Sequence, residues 1–258
     1  MSELDTLKHI AQNPDEVLLL RRLLDKQRQA RRGQASASRF LTGHERVLAQ
    51  RLMAALQGEN YAFWGGYEAA ERCILQFWPE WETRDPEAVA ALRMEYEADS
   101  GLTHRDLLGA LMALGLTRDA VGDILVSGSS ADVLILPELT EFAVQNLERI
   151  GRSRVRCQRI PLSELRVPQQ AYRSIRDTVA SPRLDSVLAS GLHLSREKAA
   201  QLIRTGAVQV DHVDCTKPDR QLSSGALLSV RGYGRLRLET LGEATRKGRY
   251  PVVIFKYE

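Results

Sequence analysis

Lys198, Gln201 and Arg204 recur three residues apart, which on a helix sets them along one polar stripe. Ala199, Leu202 and Ile203 fall on the opposite, apolar side. Cationic and amide groups in that arrangement suit phosphate oxygens, which take charge-assisted hydrogen bonds from Arg and Lys. Arg196 lies near the apolar edge of the wheel, so its reach comes from the helix N-terminus. Arg183 opens an earlier helical stretch and Arg231 lies at a later strand. Arg183, Arg196, Lys198, Gln201, Arg204 and Arg231 form the candidate binding set for a polyanion.

The elements that must position these residues are legible between Ser181 and Asp211. Ser181 is predicted to cap a first helix, with Pro182 at its first position. Ser195 caps the second, Glu197 sits in its first turn where the dipole favours an anion, and Gly206 ends it. Val208 and Val210 then begin a strand. One capped amphipathic helix with a basic wet side is common and says little alone. The net charge of +3 conceals a sharper signal: residues 61–150 carry 16 acidic and 6 basic side chains, residues 151–258 carry 20 basic and 10 acidic. A basic C-terminal half is the electrostatic footprint of a polyanion partner.

Other chemistry finds little support. Cys73, Cys157 and Cys215 are far apart and form no Cys-x-x-Cys pair, so neither a disulfide framework nor structural zinc is expected. His9, His44, His104, His193 and His212 have no metal or triad spacing. No Gly-x-Gly-x-x-Gly follows a strand, and Ser127-Gly128-Ser129-Ser130 lacks the lysine of a phosphate loop and reads as a turn. We therefore expect no cofactor and no metal. No apolar run approaches the roughly 20 residues of a membrane span, and MSELDTLKHI is unlike a signal peptide. A cytoplasmic location is expected.

Residues 1–65 read as a helical N-terminal region, with apolar spacing at Leu18, Leu19, Leu23 and at Val47, Leu48, Leu52, Leu56. RQARRGQASASR between them reads as a loop whose Arg28, Arg31, Arg32 and Arg39 are better taken as solvated charge than as phosphate contacts. Over 72–160, strand signals at CILQFWPEW, ALRMEYEAD, DILVS and ADVLILPE, and a last one at SRVRCQRIP, alternate with helical THRDLLGALMALGL and TEFAVQNLERIG. The order β-β-α-β-β-α-β predicts a ferredoxin-like, RRM-like α/β sandwich over 66–164. Arg152, Arg154 and Arg156 share one strand face, either solvated or in contact with RNA. Residues 165–180 read as a connector, partly helical, and 181–258 as a domain of two helices on a small β-sheet. The fold class is α+β.

Two resemblances sharpen these readings. Arg183-Leu184-Asp185, Ser195-Arg196, the Ala199–Leu202–Ile203 face, Gly206, Val208, Val210, Gly225 and Val230-Arg231-Gly232 together resemble the RNA-binding domain of ribosomal small-subunit protein four, the S-four domain. The resemblance implies that the basic helix face holds structured RNA. Phe63-Trp64-Gly65-Gly66-Tyr67-Glu68-Ala69-Ala70-Glu71-Arg72, with Phe40-Leu41-Thr42 and Glu45 upstream, resembles the signature of the bacterial YlmH family. Its Phe-Trp-Gly-Gly-Tyr form is most similar to the cyanobacterial and plastid branch labelled photosystem II S-four domain proteins. That branch would add a plastid stroma as a location and an indirect photosystem II association. The family resemblance implies binding to the large ribosomal subunit, through ribosomal RNA and tRNA, in rescue of stalled nascent chains.

Two readings of Gly65–Arg72 stay open. Tyr67 could stack on a base and Arg72 contact phosphate, forming with Arg154 and Arg156 a secondary RNA contact. Alternatively the motif packs internally, with Glu68 or Glu71 pairing with Arg72. Arg183-Leu184-Asp185 also resembles a pseudouridine synthase motif with Asp as nucleophile. Here it opens the S-four helix, where Asp185 is expected to partner a basic residue. A non-enzymatic RNA-binding protein in translation or ribosome-associated quality control is the expected function, with a photosystem assembly factor or an RNA-modifying enzyme as alternatives.

Overall fold

The computed structural model describes residues 3–168 and 171–257. The chain forms two compact units, residues 1–168 and 169–258. In the first, α1 (Glu3–Ile10) is followed by α2 (Pro14–Arg31) and α3 (Gly43–Ala55), which begin where their sequences supply caps. Asn13 accepts the Glu16 N–H at 3.0 Å ahead of Pro14. Thr42 and Glu45 form a reciprocal capping box, which satisfies two backbone donors at the start of α3. Leu20, Leu23 and Leu24 of α2 pack with Leu48, Leu52 and Met53 of α3.

The N-terminal region is not wholly helical. Strands β1 (Ser36–Ala37), β2 (Tyr61–Trp64) and β3 (Ile74–Phe77) form an antiparallel sheet in the order β1-β3-β2. A boundary at 65/66 therefore cuts a hairpin. Strands β1 and β2, of two and four residues, are too short to display a period, which hid them. The expected loop over 28–39 also differs. Helix α2 continues to Arg31, because nothing before Gly33 (φ 93°) breaks it.

The sandwich follows as β4 (Ala90–Tyr96), α4 (His104–Ala113), β5 (Val121–Ser127), β6 (Ser130–Ile135), α5 (Thr140–Asn146), β7 (Arg149–Ile150) and β8 (Ser153–Ile160). The sheet order is β5-β6-β4-β8-β7 with antiparallel neighbours. Its main strands give the ferredoxin-like β-α-β-β-α-β pattern. The strand read at Cys73–Trp81 belongs to the small sheet as β3 rather than to this one. On one face Leu92, Met94, Val133 and Ile135 bury against Leu107, Leu111 and Ala143 of the two helices.

The other sheet face is covered as well. Ala91, Leu125, Leu134 and Ile160 pack on Phe40 and Ile74, with Trp64, Tyr67, Leu162 and Leu165 around them. A Cβ on Gly65 would stand 2.4 Å from the Arg72 carbonyl oxygen, and one on Gly66 (φ 94°) 2.5 Å from Leu134 Cδ1. Asp123 binds the motif from β5: it accepts the Tyr67 hydroxyl at 2.9 Å and the backbone N–H groups of Glu71 and Arg72 at 2.8 and 3.1 Å. Arg72 donates from its side chain to the carbonyls of Val121, Phe40 and Arg118. The Arg72 side chain is thus held by carbonyl groups. Farther along the same face the buried Arg93–Asp132 fork (2.7 and 2.8 Å) ties down the exit segment through the Glu164 carbonyl and the Arg166 N–H.

In the second unit, the expected connector holds a strand, β9 (Tyr172–Val179). It precedes α6 (Leu184–Leu192), α7 (Arg196–Arg204), β10 (Val208–Val210), β11 (Val213–Asp214), β12 (Leu227–Val230), β13 (Gly234–Leu241) and β14 (Tyr250–Tyr257). The sheet order is β11-β10-β12-β13-β14-β9. The mostly polar strand β9 escaped notice because only Ile175 and Val179 turn inward. It pairs with β14 along its full length, from Tyr172↔Tyr257 to Val179↔Tyr250. Leu188, Ala199, Ile203, Leu228, Leu236 and Ile254 belong to the separate core of this unit.

Two outcomes follow. Gly65→Ala should destabilise the first unit by about 2 kcal/mol through its backbone clash. Gly109→Ala, in exposed helix with open space around it, should stabilise it by about 1 kcal/mol; urea denaturation of both variants checks the contrast. A fragment beginning at Ala171 should fold alone, whereas one beginning at Ser181 leaves β14 an open edge and should lose cooperative unfolding by circular dichroism.

Candidate nucleic-acid interface

Helix α6 does not start as expected. Ser181 is not its cap and Pro182 lies outside it; Arg183 is the N-cap and makes no side-chain capping bond. Residues 182–183 instead run extended beside 221–222, with the Leu222 N–H on the Pro182 carbonyl at 2.9 Å. The first helical N–H groups, of Leu184 and Asp185, donate to the carbonyls of Arg220 and Pro218 at 2.8 and 3.0 Å. A neighbouring loop thus does the work of a cap. The helix ends at His193 in the left-handed conformation (φ 54°).

Helix α7 matches its sequence reading. The Ser195 hydroxyl accepts the Lys198 N–H at 3.2 Å, Glu197 lies in the first turn, and Gly206 (φ 71°) follows the last. Ala199 and Ile203 are fully buried, Ala200 nearly so, and Leu202 packs at the rim. Lys198, Gln201 and Arg204 are exposed on the other side.

Asp185 joins the two helix starts. It is buried at 4% exposure and accepts a bidentate pair from Arg183 (3.1 and 3.0 Å) and a further bond from Arg196 (3.0 Å). Burial acts to raise its carboxyl, but the hydrogen bonds of Arg183 and Arg196 prevail and hold it below the ordinary range. The Arg183 and Arg196 side chains keep 35% and 53% of their surface in water. Two guanidinium groups are therefore fixed in place with their outer edges open, beside the Lys198–Arg204 helix. Arg231 is exposed in the turn after β12, and its N–H on the Ala207 carbonyl (2.9 Å) ties that turn to the chain leaving α7.

The remaining nominated residues are dispersed. Tyr67 and Arg72 are engaged in the Asp123 bonds above, and burial together with Asp123 pushes the Tyr67 phenol well up. Arg154 and Arg156 are exposed on β8, with Arg156 opposite Glu95. Sequence reading missed Arg176 and Arg237, exposed on the face of the second sheet that turns away from its core. The alternation Arg235-Leu236-Arg237-Leu238 was the signal for the latter. The cysteines are free; burial pushes the Cys73 and Cys157 thiols up to about 11, far from nucleophilic thiolate at neutral pH. Among the described residues no helix is long and apolar enough to cross a membrane.

Comparison with known proteins identifies the two domains. Residues 89–164 match the family described as "Putative RNA-binding domain in YlmH", and residues 182–228 match the S4 domain. The chain is 34% identical over 220 residues to the "Ribosome-associated protein quality control protein P2" of Bacillus subtilis (strain 168), covering 83% of this chain and 84% of that protein. The solved structure of the cell division protein ylmH from Streptococcus pneumoniae aligns with a TM-score of 0.50 at 19% identity, over 61% of this chain and 98% of that one, a likeness of fold. The chain belongs to the YlmH family of RNA-binding proteins.

Asp185→Asn should cost about 2 kcal/mol at pH 7, since it removes charged hydrogen bonds and frees two neighbouring cations to repel. Because the folded carboxyl is depressed, its contribution is present above the unfolded value near 4 and is lost as pH falls through the folded value. Denaturant midpoints of wild type and variant should accordingly converge in acid. RNA affinity should fall with Asp185→Asn, while a nucleotide-resolution map of pseudouridine in ribosomal RNA stays unchanged.

Proposed function

We propose that this protein is a non-enzymatic factor that binds ribosomal RNA on the large ribosomal subunit, beside tRNA, and serves ribosome-associated quality control in the cytoplasm. The observation that carries the reading is the Asp185-anchored pair Arg183 and Arg196, at the start of the helix pair whose second member exposes Lys198, Gln201 and Arg204. Fixed guanidinium groups with open edges suit the phosphates of a folded RNA, because their positions are set before binding. The name of the B. subtilis relative supports the biological setting.

The Lys198→Glu/Arg204→Glu double variant should stay folded, as neither side chain is buried. It should lose sedimentation with large subunits and reduce the salt slope of RNA binding by about 0.7–0.9 per contact. Arg28→Gln/Arg39→Gln is the matched control, since Arg28 pairs with Asp25 and Arg39 with Asp119 on the surface. If the control falls off the subunit and the helix variant does not, the binding face lies elsewhere. Retention with membranes after nuclease treatment would instead support the photosystem-assembly alternative.

A further inference from the structure

We propose that the first unit carries a pocket for one unpaired, amino-bearing RNA base, with Trp81 as its stacking platform. This rests on the RNA-binding reading above and adds a site to it. Trp81 is 73% exposed, more than any other large apolar side chain among the described residues. A hydrogen bond from the Glu82 N–H to the Pro79 carbonyl (3.0 Å) closes the turn that presents it. Part of its ring rests on Gly33, where a Cβ would stand 3.1 Å from Cζ2, and most of the ring surface is left to solvent. Such a ring in water is a surface awaiting a flat partner.

The surroundings have the three chemistries of a nucleotide. Trp81 borders a cavity of about 330 Å³ whose apolar wall includes Trp78 and buried Phe77. That volume lies within the roughly 300–1,000 Å³ of small-ligand pockets. Arg31, in the last turn of α2, reaches the same cavity and supplies a cation for a phosphate. Glu59 and Glu80 also line it. Their carboxylates only accept hydrogen bonds, so they favour an exocyclic amino group and disfavour a phosphate inside the pocket. An amino-bearing base would therefore enter, with its phosphate left toward Arg31; uracil, lacking that amine, fits less well. The wall segment before β2 is conformationally demanding: Gln57 and Asn60 both hold left-handed backbone (φ 48° and 53°).

The test uses the full chain and three fluorescein-labelled probes: a short single-stranded oligoadenylate, the matching oligouridylate, and a fully paired hairpin. Anisotropy titrations compare wild type, Trp81→Ala, Trp81→Phe and Lys198→Glu/Arg204→Glu. Trp81→Ala should weaken oligoadenylate binding about tenfold and leave the hairpin unchanged. Trp81→Phe, which keeps a ring, should retain most of the affinity, and wild type should prefer oligoadenylate to oligouridylate. An unchanged oligoadenylate affinity in Trp81→Ala, or an equal loss on the hairpin, overturns the pocket. A helix variant that binds the hairpin like wild type overturns the S-four reading instead, so the two failures are distinct.

Discussion

One buried carboxylate organises the exposed basic face of the second unit. Removing Asp185 from water carries a desolvation cost that a single ion pair often fails to repay. Here three N–H groups from Arg183 and Arg196 converge on it, and the Ser186 hydroxyl stands 3.4 Å from Oδ1. Both guanidinium side chains nonetheless remain partly exposed. The result is a division of labour within one network. The carboxylate serves the fold, and the cations it holds stay partly open to water. It also fixes how α6 and α7 begin relative to each other, because Arg183 precedes one and Arg196 opens the other.

The same logic runs the other way in the first unit. Asp123 and Asp132 also collect several donors each, but their partners end inside: Tyr67 and the backbone at Arg72 on one, Arg93 and the Arg166 N–H on the other. The sheet face that an RRM-like domain would offer to stacked bases is here filled by Phe40, Ile74, Leu162 and Leu165. A ferredoxin-like fold therefore does not of itself supply an open RNA platform in this chain. The Gly65–Arg72 motif is the means of closure. Its glycines admit contacts that no side chain would allow, and Asp123 locks the segment across the sheet edge.

How much was readable in advance depended on the length over which a pattern repeats. Helix α7 was legible down to its cap, because Ser195, Glu197, Gly206 and a clean apolar face all agree locally. The β5–β6 hairpin and α4 were legible for the same reason. The start of α6 was not: the carbonyls of Pro218 and Arg220 that replace its cap come from a loop over thirty residues downstream. Strand β9 was missed because its partner β14 is the last strand of the chain, and a polar edge strand shows little alternation. The basic helix face could be named from sequence, but not the bond geometry that ties Arg183 and Arg196 to one carboxylate.

The distribution of charge completes the physical picture. Residues 61–150 hold 16 acidic against 6 basic side chains, and the following residues to 258 hold 20 basic against 10 acidic. A polyanion attracts the second set and repels the first. Within the second set, Arg183 and Arg196 have their geometry set by Asp185 in the free protein. Salt should screen the steering between separated charges more than it alters the buried Asp185 network, whose groups lie in contact. Association rate should therefore be more salt-sensitive than the arrangement of the binding face itself.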